Sequence, residues 1–276
     1  MIFDTGDKIH VLECGSSPKV SQIFETQKAS ITSLSISNDN TLLASTSANA
    51  VHVHNLTLGS HSVLRGLTVG SQDIDINTSA FHPHCRTRLL VATGKHIMIY
   101  DTTRPSVPMK TIALGEAATG TITAIACSPF SKTLIAAATS GGFVGLIDLE
   151  KEKAYVPRCI LLFIVLLYLL PRLFRTLNVK VPLTTLGFSP EGAAIYLGTE
   201  NGKILVVDLR ALDKPPKAVV VSETGNRIET ISIQVRLHSK YVYKKHLLAQ
   251  ISTEKGKIRD RRARKDPGWF LYCNHY

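Results

Sequence analysis

A phrase of three short apolar stretches recurs along this chain and limits the folds open to it more than any single residue does. The clearest copy runs from Leu183 to Leu209, and an earlier copy runs from Ile122 to Leu149. In both copies the first stretch ends at Ser-Pro, the second leads to a glycine, and the third closes on Asp-Leu. Recurring units of this size predict a repeat fold built of short strands.

The residue that closes each copy recurs at a nearly constant interval. The closing residues are, in order, Asn55, Asp101, Asp148 and Asp208. The successive intervals are 46, 47 and 60 residues. A period in the 40s with three or four short strands per unit is typical of a propeller blade. The sequence therefore predicts an all-β fold, a WD40-repeat β-propeller.

Partial units at both ends of the chain suggest how the ring would close. Residues 7–13 are typical of a third strand that lacks the two before it, and residues 228–233 are typical of a first strand with nothing recognisable after it. Joining them would complete one blade and remove an exposed sheet edge. Four internal units and this shared blade are few for a propeller, which leaves open that the propeller is incomplete.

The positive charge of the chain is concentrated after the last repeat. The formal net charge is +11, but residues 235–276 contain 11 Lys and Arg against three acidic residues, so residues 1–234 carry only +3. The repeat pattern also stops at this point. We therefore predict a WD-repeat propeller over residues 1–234, interrupted at about 155–172 by an apolar insertion. A basic, disordered C-terminal tail is expected over residues 235–276.

The apolar insertion has three interpretations. Its uncharged core, residues 159–170, would reach only roughly 18 Å as a helix, short of a hydrocarbon layer of about 30 Å. A membrane anchor is one interpretation, and a buried or interfacial insertion is a second. The third, which we favour here and extend to the tail, is translated intron sequence. Removing about 18 residues would cut the 60-residue interval to about 42 and leave residues 173–177 as a blade-ending strand.

A basic cluster in the tail is a candidate for nuclear localisation or nucleic-acid binding. Its members are Lys257, Arg259, Arg261, Arg262, Arg264 and Lys265. No stacking platform of aromatic residues accompanies the cluster. We favour a solvated tail, and we do not expect nucleic acid as a partner.

The sequence contains no convincing catalytic or metal site. It has no Gly-rich phosphate loop, zinc-protease pair or nucleophile elbow. His82, His84 and Cys85 lie close together, but they lack a second pair of ligands and are interpreted as a strand-to-turn junction. His52 and His54 alternate on one face of a strand and are expected at a blade surface. We expect no enzymatic activity, no metal and no cofactor.

The acids that close the repeats are interpreted as structural, and they are Asp101, Asp148 and Asp208. Each ends an apolar stretch, where a carboxylate can accept hydrogen bonds from the backbone of the following turn. In many WD repeats a Trp stands beside this Asp. Here the position holds Tyr100, Ile147 or Val207, so the repeats are divergent.

The cysteines favour a reducing compartment. They are Cys14, Cys85, Cys127, Cys159 and Cys273. Their number is odd, none forms a C-x-x-C pair, and no secretory signal opens the chain. These features predict a cytosolic or nuclear protein.

The last complete repeat resembles one particular family. The most telling pieces, within residues 181–217, are Gly202-Lys203-Ile204, Asp208-Leu209-Arg210 and Lys214-Pro215-Pro216-Lys217. They are similar to the late propeller repeat of the WD-repeat family that targets the γ-tubulin ring complex, the GCP-WD or NEDD type. Residues 5–11 are similar to the first strand of that family, and the looser resemblance covers residues 1–154 and 173–234.

The resemblance implies a non-enzymatic scaffold that recruits the γ-tubulin ring complex for microtubule nucleation. It places the protein in the cytoplasm, on the cytoskeleton at a centrosome or spindle pole. In that family the propeller handles localisation and partner docking, and a separate C-terminal helical region contacts the γ-tubulin complex. Two alternatives remain open: a generic WD-repeat adaptor in another assembly, such as a ubiquitin ligase, and a membrane-anchored propeller that uses residues 159–170.

Overall fold

The structure is a computed structural model in which all regular elements of the described residues are β-strands. It describes residues 2–4, 6, 8–13, 19–25, 28–67, 75–150, 173–238, 242–251 and 269–272. The contacts between residues divide the chain into two compact units, Met1–Ala113 and Leu114–Tyr276. The predicted all-β class is confirmed.

The first unit contains one three-stranded sheet and two four-stranded antiparallel sheets. The small sheet consists of β1 (Ile2–Asp4), β2 (Ile9–Glu13) and β3 (Lys19–Phe24). The next consists of β4 (Ile31–Ile36), β5 (Leu42–Ser47), β6 (Val51–Asn55) and β7 (His61–Val63). The third consists of β8 (Ile76–His82), β9 (Cys85–Thr93), β10 (His96–Asp101) and β11 (Lys110–Ala113).

The second unit contains two four-stranded antiparallel sheets and one mixed sheet. The first consists of β12 (Ile122–Cys127), β13 (Leu134–Thr139), β14 (Phe143–Asp148) and β15 (Leu173–Asn178). The second consists of β16 (Leu183–Phe188), β17 (Ala194–Thr199), β18 (Lys203–Asp208) and β19 (Lys217–Val220). The mixed sheet consists of β20 (Ile228–His238), β21 (Val242–Ile251) and β22 (Trp269–Tyr272).

Each four-stranded sheet is a WD40-type propeller blade in which consecutive strands pair with their neighbours. The second strand of every blade is buried on both faces over its last five residues. This explains why β13 reads as the continuous run Leu134–Thr139 rather than as an alternation of polar and apolar residues. Exposure increases towards the fourth strand.

The tyrosine that replaces Trp in one repeat keeps a similar structural role. Tyr100 is fully buried on β10, in a cluster that includes Leu89 and Val91. Its hydroxyl donates a hydrogen bond of 2.7 Å to the carbonyl of Arg65. Burial raises the pKa of Tyr100 to about 12. An aromatic ring with a satisfied polar group therefore fills the position of the missing Trp.

Neighbouring blades of the second unit are joined by hydrogen bonds from the second residue of each first strand. The register shifts by one residue at this point in β12 and in β16. Thr123 Oγ1 donates to the carbonyl of Leu183 at 2.9 Å, and Thr184 Oγ1 donates to the carbonyl of Ile228 at 2.6 Å. Since β20 has the same shift after Ile228, it is the first strand of the next blade.

Hydroxyl groups also connect the two blades of the first unit. Thr46 Oγ1 donates to Ser79 Oγ at 2.7 Å, and both side chains are buried. The backbone N–H of Phe81 donates to Ser35 Oγ at 2.9 Å. Small hydroxyl side chains between the sheets satisfy polar groups that close packing removes from water.

The partial units expected at the two ends of the chain each contain more strands than the sequence indicates. Residues 9–13 form β2, which pairs with β1 on one side and β3 on the other. Residues 228–233 belong to β20, whose described partner is β21. Each end thus finds partners that are adjacent in sequence, and the sequence pattern did not reveal the short β1 or the weakly apolar β21.

Strand structure continues past residue 234, where the sequence predicts that the propeller ends. β20 runs to His238 and forms a hairpin with β21. The expectation that strands are absent after residue 234 is therefore wrong for residues 235–238, 242–251 and 269–272. The hydrogen-bonded hairpin extends β20 even though the basic residues there interrupt the apolar pattern.

The apolar insertion lies outside the described residues, except that the strand expected after it is confirmed as β15. Of the residues that the structure describes, none forms a helix long and apolar enough to cross a membrane.

The bond between Thr184 and Ile228 gives a stability prediction. Replacing Thr184 with Val keeps the shape of the side chain but leaves the buried carbonyl of Ile228 without this donor. We expect the free energy of unfolding to fall by about 1–2 kcal/mol. Urea denaturation of the full chain would measure this loss, and Thr184→Ser, which keeps the hydroxyl, is the matched control. Equal loss in both variants would contradict a role for the hydrogen bond.

Candidate functional site

The connections of each blade lie on two opposite edges because its strands are antiparallel. The acid edge carries the turns that follow the first and third strands, and Asp101, Asp148 and Asp208 lie there. The glycine edge carries the turns that follow the second strands, and it includes Gly142 with φ of 84° and Gly202 with φ of 69°. These two names are used below for each unit separately.

Each closing acid of the acid edge accepts hydrogen bonds from the turn that follows it. Asp101 Oδ1 accepts from the N–H of Thr103 at 3.0 Å and from its hydroxyl at 2.8 Å. Asp148 Oδ1 accepts from the N–H of Glu150 at 3.1 Å. Asp208 Oδ1 accepts from the N–H of Arg210 at 2.9 Å. These carboxylates fix the turns after the third strands.

The same hydrogen bonds favour the charged form of two of these acids. The backbone N–H of Thr103 is the main cause that lowers the pKa of Asp101, and the backbone N–H of Arg210 has this effect on Asp208. A depressed pKa caused by a local turn is the signature of a structural cap rather than of a catalytic acid.

The turns after the first strands are fixed by serine hydroxyls. Ser128 Oγ accepts from the N–H groups of Phe130 and Ser131 at 3.3 and 3.0 Å. Ser189 Oγ accepts from the N–H of Ala194 at 3.0 Å. Both serines are buried, so neither is presented as a nucleophile.

An ion pair connects the turn after β4 with the start of β9 in the first unit. Arg86 Nη1 lies 3.2 Å from Asp39 Oδ2. The pKa of Asp39 is lowered to about 2, chiefly by the hydroxyl of Ser37 and further by Thr41 and Arg86. The acid edge of the first unit is therefore ordered by polar contacts that are mostly local.

Four large apolar side chains are exposed in the turns of the acid edge. In the first unit, Leu58, Val107 and Met109 are 76%, 69% and 63% exposed, and in the second unit Phe130 is 81% exposed. All large hydrophobic residues exposed in the described connections between strands lie on this edge. Apolar side chains on rigid turns are typical of a protein-docking surface.

Phe130 is held by the neighbouring turn although its side chain is exposed. Gly192, with φ of 68°, packs so closely that a Cβ at this position would lie 3.1 Å from Cβ of Phe130 and 3.4 Å from Oγ of Ser128. The turn after β12 therefore contacts the turn after β16. The backbone at Phe130 is held by its own turn and by the turn after β16. Less conformational entropy is therefore lost when a partner binds there.

Three histidines form a cluster in the first unit that the sequence did not predict. The ring centroids of His52, His54 and His61 lie 5.9–6.2 Å apart. His54 is fully buried, so its expected position at a blade surface is wrong. Its ring lies 4.8 Å from that of Phe24, and its Nε2 lies 3.0 Å from Oγ of Ser45. The cluster includes residues of two strands, β6 and β7. The alternation of His52 and His54 within β6 could not show that His61 of β7 lies beside them.

The histidine cluster favours neutral imidazoles. Burial is the main cause that lowers the pKa of His54 to about 4, and the neighbouring imidazoles lower it further. Burial and His61 also lower the pKa of His52. Within the described ranges, no group of three or more His, Cys, Asp or Glu has an arrangement that could hold a metal.

The residues around Pro83 form the junction between β8 and β9. His82 is buried, and its Nδ1 accepts a hydrogen bond of 3.2 Å from the N–H of His84. Cys85 is a free thiol whose sulfur lies 3.9 Å from Oγ1 of Thr87. The basic cluster proposed for residues 257–265 lies outside the described residues.

Comparison with known proteins confirms the WD-repeat resemblance. The family model for the WD domain, G-beta repeat, matches residues 18–55. The chain is 25% identical to human Protein NEDD1 over 256 residues, covering 83% of this chain and 37% of that protein. It is 26% identical to Protein NEDD1 of Bos taurus with the same coverage, and 29% identical over 132 residues to that of Mus musculus, covering 39% of this chain and 20% of that protein.

These comparisons support the WD-repeat fold, but each alignment covers only part of the length of the relative. The chain spans less than two fifths of the length of the NEDD1 proteins that it matches. It matches the WD-repeat model over residues 18–55 and is similar in sequence to Protein NEDD1 across most of its own length.

The buried histidine predicts a pH dependence of stability. The unfolded chain takes up a proton at His54 near pH 6.5, whereas the folded chain does so only near pH 4. The stability from this group is therefore complete above pH 6.5 and is lost as the pH falls through about 4. The loss reaches roughly 3 kcal/mol at most, since one pKa unit corresponds to about 1.4 kcal/mol.

Urea denaturation between pH 7 and pH 4 would measure this dependence. His54→Gln removes the titrating group and keeps a polar side chain near Ser45, so its stability is expected to fall less steeply with acidity. Parallel curves for the wild-type chain and this variant would contradict the assignment.

Proposed function

We propose that this chain is a non-enzymatic WD-repeat scaffold that recruits the γ-tubulin ring complex to centrosomes or spindle poles for microtubule nucleation. The observation that carries the proposal is the similarity to Protein NEDD1 over 83% of the chain. Such a span includes parts of both compact units, whereas a generic WD repeat would account for a match as short as residues 18–55.

The acid edge is the surface that best fits docking to a protein partner. Its turns are fixed by their own side chains, as at Asp101 and Ser128, so they need little ordering when a partner binds. Its exposed apolar residues supply area that loses contact with water in a complex. The blades hold these groups in place without a moving part, as expected of a scaffold.

The proposal assigns localisation and partner docking to the described blades. In the family that the chain resembles, a separate C-terminal helical region contacts the γ-tubulin complex. The chain spans 37% of the human relative, and the proposal for the described blades is limited to localisation and partner docking. We propose a cytoplasmic protein at the centrosome or spindle pole that needs no cofactor.

Affinity purification of a full-length version from dividing cells tests the function. We expect γ-tubulin and other components of its ring complex to be recovered, and we expect fluorescence microscopy to place the tagged protein at spindle poles. Recovery of no component of the γ-tubulin complex would overturn the proposal.

A pair of variants tests the assignment of the docking surface. Phe130→Ser removes the most exposed ring of the acid edge and is expected to lower recovery at spindle poles at least fivefold, since buried aromatic residues dominate interface energies. Ile23→Ser is the matched control because Ile23 is 52% exposed on strand β3, away from this edge. Equal localisation of both variants would reject the acid edge while leaving the recruitment function intact.

A further inference from the structure

The outer strand of the last complete blade is open, as is most of β3 in the first unit. β19 is the last strand of its sheet, and all four of its residues are exposed. Val219 and Val220 are 40% and 57% exposed. By contrast, the outer strands β7 and β11 each contain a half-buried or buried residue, and β15 contains the half-buried Leu177.

The backbone N–H and C=O groups of two residues in β19 point away from the sheet. The N–H of Val221 donates to the carbonyl of Gly202 at 2.9 Å, and Val219 pairs with Ile204. In an antiparallel pair, alternate residues bond to the neighbouring strand. Ala218 and Val220 therefore direct their N–H and C=O groups outwards, where a further strand could accept and donate four hydrogen bonds.

Exposed lysines border this open edge, and Lys214 among them also interacts with Asp208 at the end of β18. Lys217 lies on β19 itself, Lys203 lies opposite Val220 on β18, and Lys214 precedes the strand. All three lysines are exposed, and residues 214–222 contain no acid. The nearest acids in sequence are Asp213 and Glu223, one on each side of this stretch.

We propose that β19 is the docking site for an extended acidic segment of a partner protein, which adds to the blade as a fifth strand. The outward groups of Ala218 and Val220 bond the main chain of the segment. Its apolar side chains pack beside Val220 on one face of the sheet, and the acidic residues that alternate with them pair with Lys217 on the other face, because successive side chains of a strand point to opposite faces. This mode of recognition is β-augmentation.

A second copy of this chain fits the edge less well. Antiparallel pairing of two β19 strands would offer no carboxylate to the lysines, because β19 contains no acidic residue. Pro215 and Pro216 also lack the N–H groups needed to lengthen such a pair. The charge pattern therefore favours an acidic partner.

Fluorescence anisotropy with a labelled hexapeptide of alternating glutamate and valine tests this proposal on the full chain. We expect saturable binding that weakens at least tenfold in Lys217→Glu, whereas Lys132→Glu, which changes an exposed lysine of another blade, should bind normally. A hexapeptide with lysine in place of glutamate should bind at least tenfold less tightly. No binding by the wild-type chain, or equal binding of both peptides, would overturn the proposal.

Two further measurements test the hydrogen-bond pattern. Ala218→Pro removes an outward N–H that the sheet does not use, so we expect the blade to fold and binding to fall at least tenfold. Amide exchange of the wild-type chain should show new protection at Ala218 and Val220 on addition of the glutamate peptide and little change at Val219 and Val221. The exchange result decides the proposal even if the proline variant fails to fold, because the absence of new protection would overturn it.

Discussion

The packing of one blade on the next in the second unit depends on a hydrogen bond from a threonine near the start of each first strand. Thr123 and Thr184 donate to carbonyls of the following blade, and a register shift in each strand turns the hydroxyl towards its acceptor. Burial of β13 and β17 requires the blades to lie close together, and close packing is tolerable only if the polar groups between them are paired.

The acid edge shows how one set of residues can serve both folding and binding. Asp101 and Ser128 use their polar atoms within their own turns. What the turns leave for a partner then includes apolar side chains, as at Leu58 and Phe130. The residues that identify the repeat in the sequence are therefore not the residues best placed to bind, and a search for polar signature residues alone misses the surface.

The sequence predicted the strands and the closing acids well because both depend on local chemistry. A short apolar run followed by Asp and a turn has few other structures available to it, as β14 and Asp148 illustrate. The cluster at His54 could not be predicted, since it brings together β3, β5, β6 and β7 through pairing in space. The exposure of β19 was hidden for the same reason, because its pattern of valines also suits a buried strand.

The threonine bond between blades also bears on how such a chain can change in evolution. In the blade of β16–β19, the carbonyl of Leu183 accepts a hydrogen bond from the preceding blade, and the hydroxyl of Thr184 donates one to the next strand β20. The two sides of this blade are therefore complementary to each other. A tandem duplication of this segment would thus place a matching donor and acceptor at the new junction. Blade number can then change by recombination between repeats without compensating substitutions, which accords with the modular growth of repeat architectures.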